Sequence, residues 1–177
     1  MFNTAIETVP PRTDGGAVNV FVETPKGSRH KYDVDDSGLF RIALELPEGV
    51  TFPFSFGFVP NTLAEDGDAL DIMLVTAGSV PAGALIESRL IGVLKMENDE
   101  DGTMARNDRV VAIANMSRIF GAVETLSDMR DGFAWDVEEF FDTYNRMIER
   151  PFRIVGRGES DEAMAMLDKA EERRRAN

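Results

Sequence analysis

The sequence predicts an α+β fold: a small closed β-barrel followed by two helices near the C-terminal end. Three observations predict it. Short segments of alternating or continuous apolar residues, punctuated by Gly, Pro and Asp, fill the chain up to about residue 114. Ile72-Met73-Leu74-Val75 is apolar throughout, as in a strand buried on both faces. Helical periodicity enters only after Asp136. Many short strands with late helices suit a barrel core in one layer architecture. The length of 177 residues fits a single domain, and no composition shift divides residues 17–177. Residues 1–16 carry Pro10, Pro11, Gly15 and Gly16 without periodicity. They read as an N-terminal arm of the kind a partner subunit orders.

Taken in order, Val18, Val20 and Val22 alternate with Asn19, Phe21 and Glu23. Pro25-Lys26-Gly27 is turn chemistry, and Lys31 to Asp35 alternates again, so 17–35 reads as a hairpin. Leu39–Leu46 is a third strand, and residues 47–63, rich in Pro, Gly and Phe, have no helical period. Ala84–Met96 is a long strand with a bulge at Gly92, residues 97–102 form an acidic turn, and Arg109–Ala114 is a further strand. A helix starts at Asp136, capped with Glu139, shows Val137, Phe140, Phe141, Tyr144 and Ile148 on one stripe, and stops at Pro151. Residues 152–156 form a last strand and 161–175 a second helix.

Composition excludes several chemistries. There is no cysteine, so disulfides, thiolate nucleophiles and Cys-based metal sites are out. The lone histidine, His30, makes a His-rich metal site or a Ser-His-Asp triad a poor fit. The net charge of −13 opposes nucleic-acid binding and suits solubility or cation binding. No apolar run approaches the roughly 18 residues of a membrane span, and the N-terminus lacks a signal-peptide pattern. The expected compartment is the cytoplasm.

The densest chemistry is at Glu65-Asp66-Gly67-Asp68-Ala69-Leu70-Asp71, four carboxylates in seven residues just before the buried strand. Crowded carboxylates raise one another's pKa unless a cation or proton intervenes. Oxygen-only donors suit Mg²⁺, Mn²⁺ or Ca²⁺. A calcium hand is excluded, because the positions that need Gly and Glu hold Asp71 and Ala77. Lys31, Arg29 and Arg109 lie near Asp33, Asp35 and Asp108 in sequence. Acids and bases interleaved in this way fit a ligand that is both metal-bound and anionic, such as a metal–phosphate. Neither a P-loop nor a dinucleotide fingerprint is present.

These residues resemble the soluble family I inorganic pyrophosphatases from about Val18 to Gly156. Residues 23–33, ETPKGSRHKYD, are similar to that family's E-x-P-K-G-x-x-x-K-Y-E segment, and 52–58, FPFSFGF, to its Y-P-x-N-Y-G-Y segment. Residues 66–71, DGDALD, resemble its D-G-D-P-x-D signature, and Ile91–Met96 and Phe140-Phe141-x-x-Tyr144 match later landmarks. The resemblance implies a five-stranded OB-like barrel, a hexamer, and hydrolysis of pyrophosphate to two phosphates with several Mg²⁺ ions. It also implies roles. Asp66 and Asp71 would hold the metals that share the attacking water, and Asp68 would accept its proton. Asp101 would serve a further metal, Asp108 or Asn107 the shared one, and Glu23 and Asp33 outer metal positions. Lys31, Arg109 and Tyr144 would bind phosphate oxygens.

The departures fall mostly on the phosphate side. Leu44 stands for a site arginine, Phe52 and Phe56 for tyrosines, Ser55 for asparagine and Asn145 for a helix lysine. Arg109 stands for the lysine of a D-x-K segment, whose aspartate aligns with Asn107 or, with a slip of one, Asp108. Ala69 replaces the signature proline. Arg29, Arg41 and Arg106 are the candidate substitutes for the missing cations. Two other readings stay open: hydrolysis of a larger phosphoanhydride, and a catalytically weak member that binds metal or phosphate.

Overall fold

The two-sided burial expected at 72–75 organises the whole molecule. The computed structural model describes residues 5–35, 37–100 and 102–176. Its elements are β1 (Val18–Thr24), β2 (His30–Val34), β3 (Phe40–Glu45), β4 (Ser55–Val59), β5 (Leu70–Val75), β6 (Leu85–Glu100), β7 (Thr103–Arg106), β8 (Arg109–Ala114), α1 (Phe133–Met147), β9 (Phe152–Glu159) and α2 (Ser160–Ala176). Strands pair in the order β1-β4-β5-β8-β6, and β6 returns to β1, closing a five-stranded ring. The β5–β8 pair is parallel and the other ring pairs are antiparallel. β7 and β9 extend β6 beyond the ring, while β2 and β3 form a separate hairpin.

Period-two alternation sorts the ring residues into two cores. Val20, Val22, Val59, Ile72, Leu74, Val93, Val110 and Ala112 form one cluster, joined by Ala163, Leu167 and Ala170 of α2. Met73, Val75, Ile91, Leu94, Val111 and Ile113 point the other way, against Phe133, Val137 and Phe141 of α1. This explains the unbroken apolar run of β5. Truncating a side chain such as Leu94, fully buried, to alanine costs about 2–5 kcal/mol.

Two glycines permit close backbone approach. A Cβ on Gly57 would sit 1.9 Å from the Phe21 carbonyl oxygen. One on Gly92 would sit 2.6 Å from that of Gly158, where the β6–β8 register also shifts as the expected bulge requires.

The structure corrects several local expectations. β2 does not form a hairpin ladder with β1. It pairs with β3, and Thr24 Oγ1 joins the two layers by accepting the Tyr32 amide at 2.9 Å. Residues 47–63 contain a ring strand, β4. The acidic stretch after Met96 continues as strand to Glu100 and returns through β7, so only its end turns. α1 begins at Phe133 after Gly132, whose φ of 81° only glycine adopts easily. Asp136 lies inside that helix and pairs with Arg130 rather than capping with Glu139. The arm from residue 5 onward lies on its own chain. The Asn19 amide donates to the Pro11 carbonyl at 2.9 Å, and Arg12 pairs with Glu171 and Asp168 of α2.

Candidate active site

A cavity of about 830 Å³ opens between the α1-facing side of the ring and the β2–β3 hairpin. Strand geometry explains who reaches it. In β5, Leu70 and Ile72 face the first core, so Asp71 faces the cavity side with Met73. In β8, Val110 faces the first core, so Arg109 shares the side of Val111. Parallel pairing of Ile72 with Val110 then sets Asp71 beside Arg109, and the two form an ion pair at 2.5 Å. Glu23 likewise alternates outward from Val22 on β1, and Lys31 and Asp33 project from β2.

Asp66 and Asp68 belong to the turn before β5. The Asp68 amide donates to Asp66 Oδ1 at 3.1 Å, and Gly67 takes a φ of 94° between them. Buried Thr62 pins the turn's end by accepting the Leu70 amide and donating to the Val59 carbonyl. Both carboxylates are exposed toward the cavity mouth. Phe52, Phe56, Phe140 and Tyr144 form the opposite wall, with Phe140 stacked on Phe56 and Tyr144 at 6.1 and 5.9 Å.

The electrostatics are those of confined carboxylates. Burial pushes the Glu23 carboxyl up to about 7. The Val34 amide, donating to Glu23 Oε1 at 3.0 Å, and Lys31 oppose this, while Asp71 and Asp33 add to it. Asp71 is open to the cavity, its side chain 40% exposed, yet the surrounding protein raises its proton affinity. Arg109 and Lys31 counter that rise, and Asp66 and Asp68 reinforce it. Burial also raises the Tyr144 phenol, against the pull of Lys31 and Arg109.

The structure brings Glu23, Lys31, Asp33, Asp66, Asp68, Asp71, Arg109 and Tyr144 to this one cavity. Asp101 lies outside the described residues. Asp108 is not on the lining. Its carboxylate accepts the Met96 amide at 3.0 Å and pairs with Arg106 at 2.7 Å, so Asn107 occupies the cavity side instead. Arg29 is also absent from the lining, because Glu45, Glu48 and the Leu46 carbonyl hold it at the far end of the hairpin. Arg41 pairs with Asp35 and Arg106 with Asp108, and neither is on the cavity lining. The cavity cations that sequence reasoning missed are Arg150 and Arg174. Both come from element ends that only the folded chain brings near the aspartates, so no local motif marks them.

The donor set fits a hard divalent cation, since every acidic side chain on the lining offers oxygen alone. A cation would also relieve the raised proton affinity of Glu23 and Asp71. Among the described residues no three carboxylates already converge as a ligating group. Asp71 is drawn to Arg109 and Asp33 to Lys31, at 2.8 Å. Glu23, Asp33, Asp66 and Asp71 are the residues that could hold metal.

Comparison with known proteins agrees in sequence and in fold. Residues 20–175 match the family model described as inorganic pyrophosphatase. An inorganic pyrophosphatase from Nostoc is 30% identical over 166 residues, covering 93% of this chain and 96% of the relative. One from Campylobacter jejuni is 37% identical over 131 residues, covering 72% and 73%. The crystal structure of an inorganic pyrophosphatase from Neisseria gonorrhoeae superposes with a TM-score of 0.84 at 31% identity, covering 97% of this chain and 99% of that one. The Thermus thermophilus enzyme shares the fold, with a TM-score of 0.89 at 24% identity and the same coverage. With its five-stranded ring, two late helices and a family model that matches residues 20–175, the chain belongs to the inorganic pyrophosphatase family.

Proposed function

We propose that the protein hydrolyses inorganic pyrophosphate to two orthophosphates with Mg²⁺, through direct attack of water and no covalent intermediate. The observation that carries this reading is the meeting of Glu23, Asp33, Asp66, Asp68 and Asp71 with Lys31 and Arg109 in one cavity. That combination suits a substrate that is both anionic and metal-bound. The family is metal-dependent. Bound Mg²⁺ supplies Lewis-acid activation of water and neutralises phosphate charge; Mn²⁺ suits the same donors.

The chain's own residues divide the remaining work. Asp66 and Asp71 would hold the metal that activates the attacking water, and Glu23 and Asp33 would serve outer metal positions. Asp68, exposed at the cavity mouth, takes the proton from the attacking water. Lys31, Arg109 and Tyr144 bind phosphate oxygens and stabilise charge that builds on the leaving phosphate. The oxygen of water ends on one phosphorus and the bridging oxygen leaves with the other.

The aromatic wall of Phe52, Phe56 and Phe140 favours one competing reading, a phosphoanhydride with an organic substituent. Phosphate release from pyrophosphate, triphosphate and nucleoside triphosphates, each with Mg²⁺, tests both. The expected result is a preference for pyrophosphate by at least about tenfold in kcat/KM; a nucleotide preference selects the competing reading.

We place the protein in the cytoplasm as a homo-oligomer, a hexamer by family resemblance. Exposed Leu39, Ile42, Met116 and Ile119 supply apolar surface for such contacts. No helix among the described residues is long and apolar enough to cross a membrane. Light scattering after gel filtration measures the subunit number; a monomer contradicts the assembly.

A further inference from the structure

The cavity volume of about 830 Å³ lies within the range of pockets that hold organic ligands of drug size. The chamber itself therefore does not reject phosphoanhydrides longer than a diphosphate, and discrimination falls to the mouth. One side of that mouth comes from the N-terminal arm. Its 3-10 turn, Ala5–Thr8, places Ile6 and Glu7 on the lining, beside the segment that leads into the acidic turn. Ile6 is half-buried there and Glu7 is exposed.

Asn61 fixes the arm in this place. Its Nδ2 donates to the Val9 carbonyl at 2.9 Å and to that of Glu7. Asn61 is itself left-handed, with a φ of 54°, a conformation that Asn tolerates better than most residues. Its neighbour Thr62 accepts the Leu70 amide, and the Leu63 amide donates to the Ala170 carbonyl of α2 at 3.0 Å. Further along the arm, the Asn19 side chain donates to the Pro10 carbonyl at 2.9 Å, and Arg12 pairs with Glu171 of α2 at 2.6 Å. Arm, acidic turn and α2 thus brace one another as a rim. Glu7, Asp66 and Asp68 stand on it, with Arg174 from the end of α2. A divalent ion on Asp66 offsets part of this negative charge, while Glu7 is not among the residues assigned to metal. Each extra phosphate on a substrate adds negative charge that must sit nearer the mouth, where Glu7 repels it and Ile6 takes up room.

We propose that the N-terminal arm is a specificity element, in which Ile6 narrows and Glu7 charges the cavity mouth, so that a diphosphate is favoured over longer phosphoanhydrides. The assignment deepens the pyrophosphatase reading and rests on it.

The test is calorimetric binding, with Mg²⁺, of methylenediphosphonate and of its three-phosphorus homologue, alongside phosphate release from pyrophosphate. The quantity read is the ratio of the two affinities. Removing residues 2–8 should shift that ratio toward the longer ligand by about tenfold, and Glu7→Lys by about fivefold. The Glu7→Lys shift should shrink at high salt, because the side chain is exposed. Asn61→Gly keeps the left-handed backbone but loses both hydrogen bonds, and should shift the ratio by about threefold. A ratio within about twofold of wild type after removal of residues 2–8 overturns the proposal. So does an equal weakening of both ligands, which marks an arm that only supports the fold. If the shortened chain fails to fold, Glu7→Lys is read the same way, and an unchanged ratio overturns the proposal. Wild type that binds the diphosphonate but releases no phosphate from pyrophosphate overturns the activity alone. Wild type that binds neither ligand overturns both.

Discussion

The two walls of the cavity differ in chemistry. The acidic wall, from β1, β2 and the start of β5, presents Glu23, Asp33, Asp66, Asp68 and Asp71. It keeps the acidic pattern of the family segments it resembles. The facing wall, from β4, the loop before it and α1, presents Phe52, Phe56, Phe140 and Tyr144. By the motif resemblance, Phe52 and Phe56 would stand for tyrosines there, and Asn145 is buried, donating to the Phe141 carbonyl. Packing explains why the second wall tolerates such change. Its rings stack on one another, with Phe52 against Phe56, Phe140 and Tyr144, and a lost hydroxyl leaves that contact intact. Loss of Asp71 or Asp33 removes the carboxylate that pairs with Arg109 or Lys31. One wall is bound by charge balance and the other mainly by shape.

The largest effect should come from breaking the acidic wall. Asp71→Ala should lower turnover roughly a thousandfold, about 4 kcal/mol, and weaken Mg²⁺ binding measured by calorimetry. Metal binding equal to wild type would show that the ligand assignment is wrong. The next effect is on stability. A Glu23 carboxyl raised to about 7 binds its proton more tightly folded than unfolded. In metal-free protein, stability should therefore fall as pH rises from about 4.5 to 7 and the loss should be complete above it, at roughly 3 kcal/mol. Urea unfolding of Glu23→Gln should lack that slope; parallel profiles for variant and wild type contradict it.

Lys31→Ala comes third, raising KM about 10- to 100-fold through a lost charge-assisted contact, with kcat less affected. A fall in kcat alone would move Lys31 from substrate binding to another role. The smallest effect is on the aromatic wall: Phe56→Tyr should lower KM a few-fold by restoring one neutral hydrogen bond. An unchanged KM would mean that the ring is packing and nothing more.

The barrel was legible in the sequence wherever alternation was strong, as in β1, or burial two-sided, as in β5. β4 was hidden because Gly57 and its flanking phenylalanines carry no clear polar face. The start of α1 was hidden because Gly132 begins it through backbone conformation, while Asp136, a good cap by type, sits a turn inside. The partnership of β2 depended on distant pairing that no local pattern states.

The site divides in the same way. Aspartates packed into one turn announce themselves by density, so Asp66, Asp68 and Asp71 could be read directly. Asn107 and Asp108 lie in the link between β7 and β8, and only the fold shows which of them faces the cavity. Arg29 carries the right charge next to Lys31 in sequence, yet the hairpin sends it to Glu45. Arg150 is 79 residues after Asp71 in the chain and reaches the same cavity through a helix-ending turn.

The most direct test compares phosphate release from Mg²⁺-pyrophosphate by wild type and Asp68→Ala under identical conditions. The proton-accepting role predicts that wild type is faster by about 10²- to 10⁴-fold. Equal rates would contradict an acidic turn that prepares water for attack.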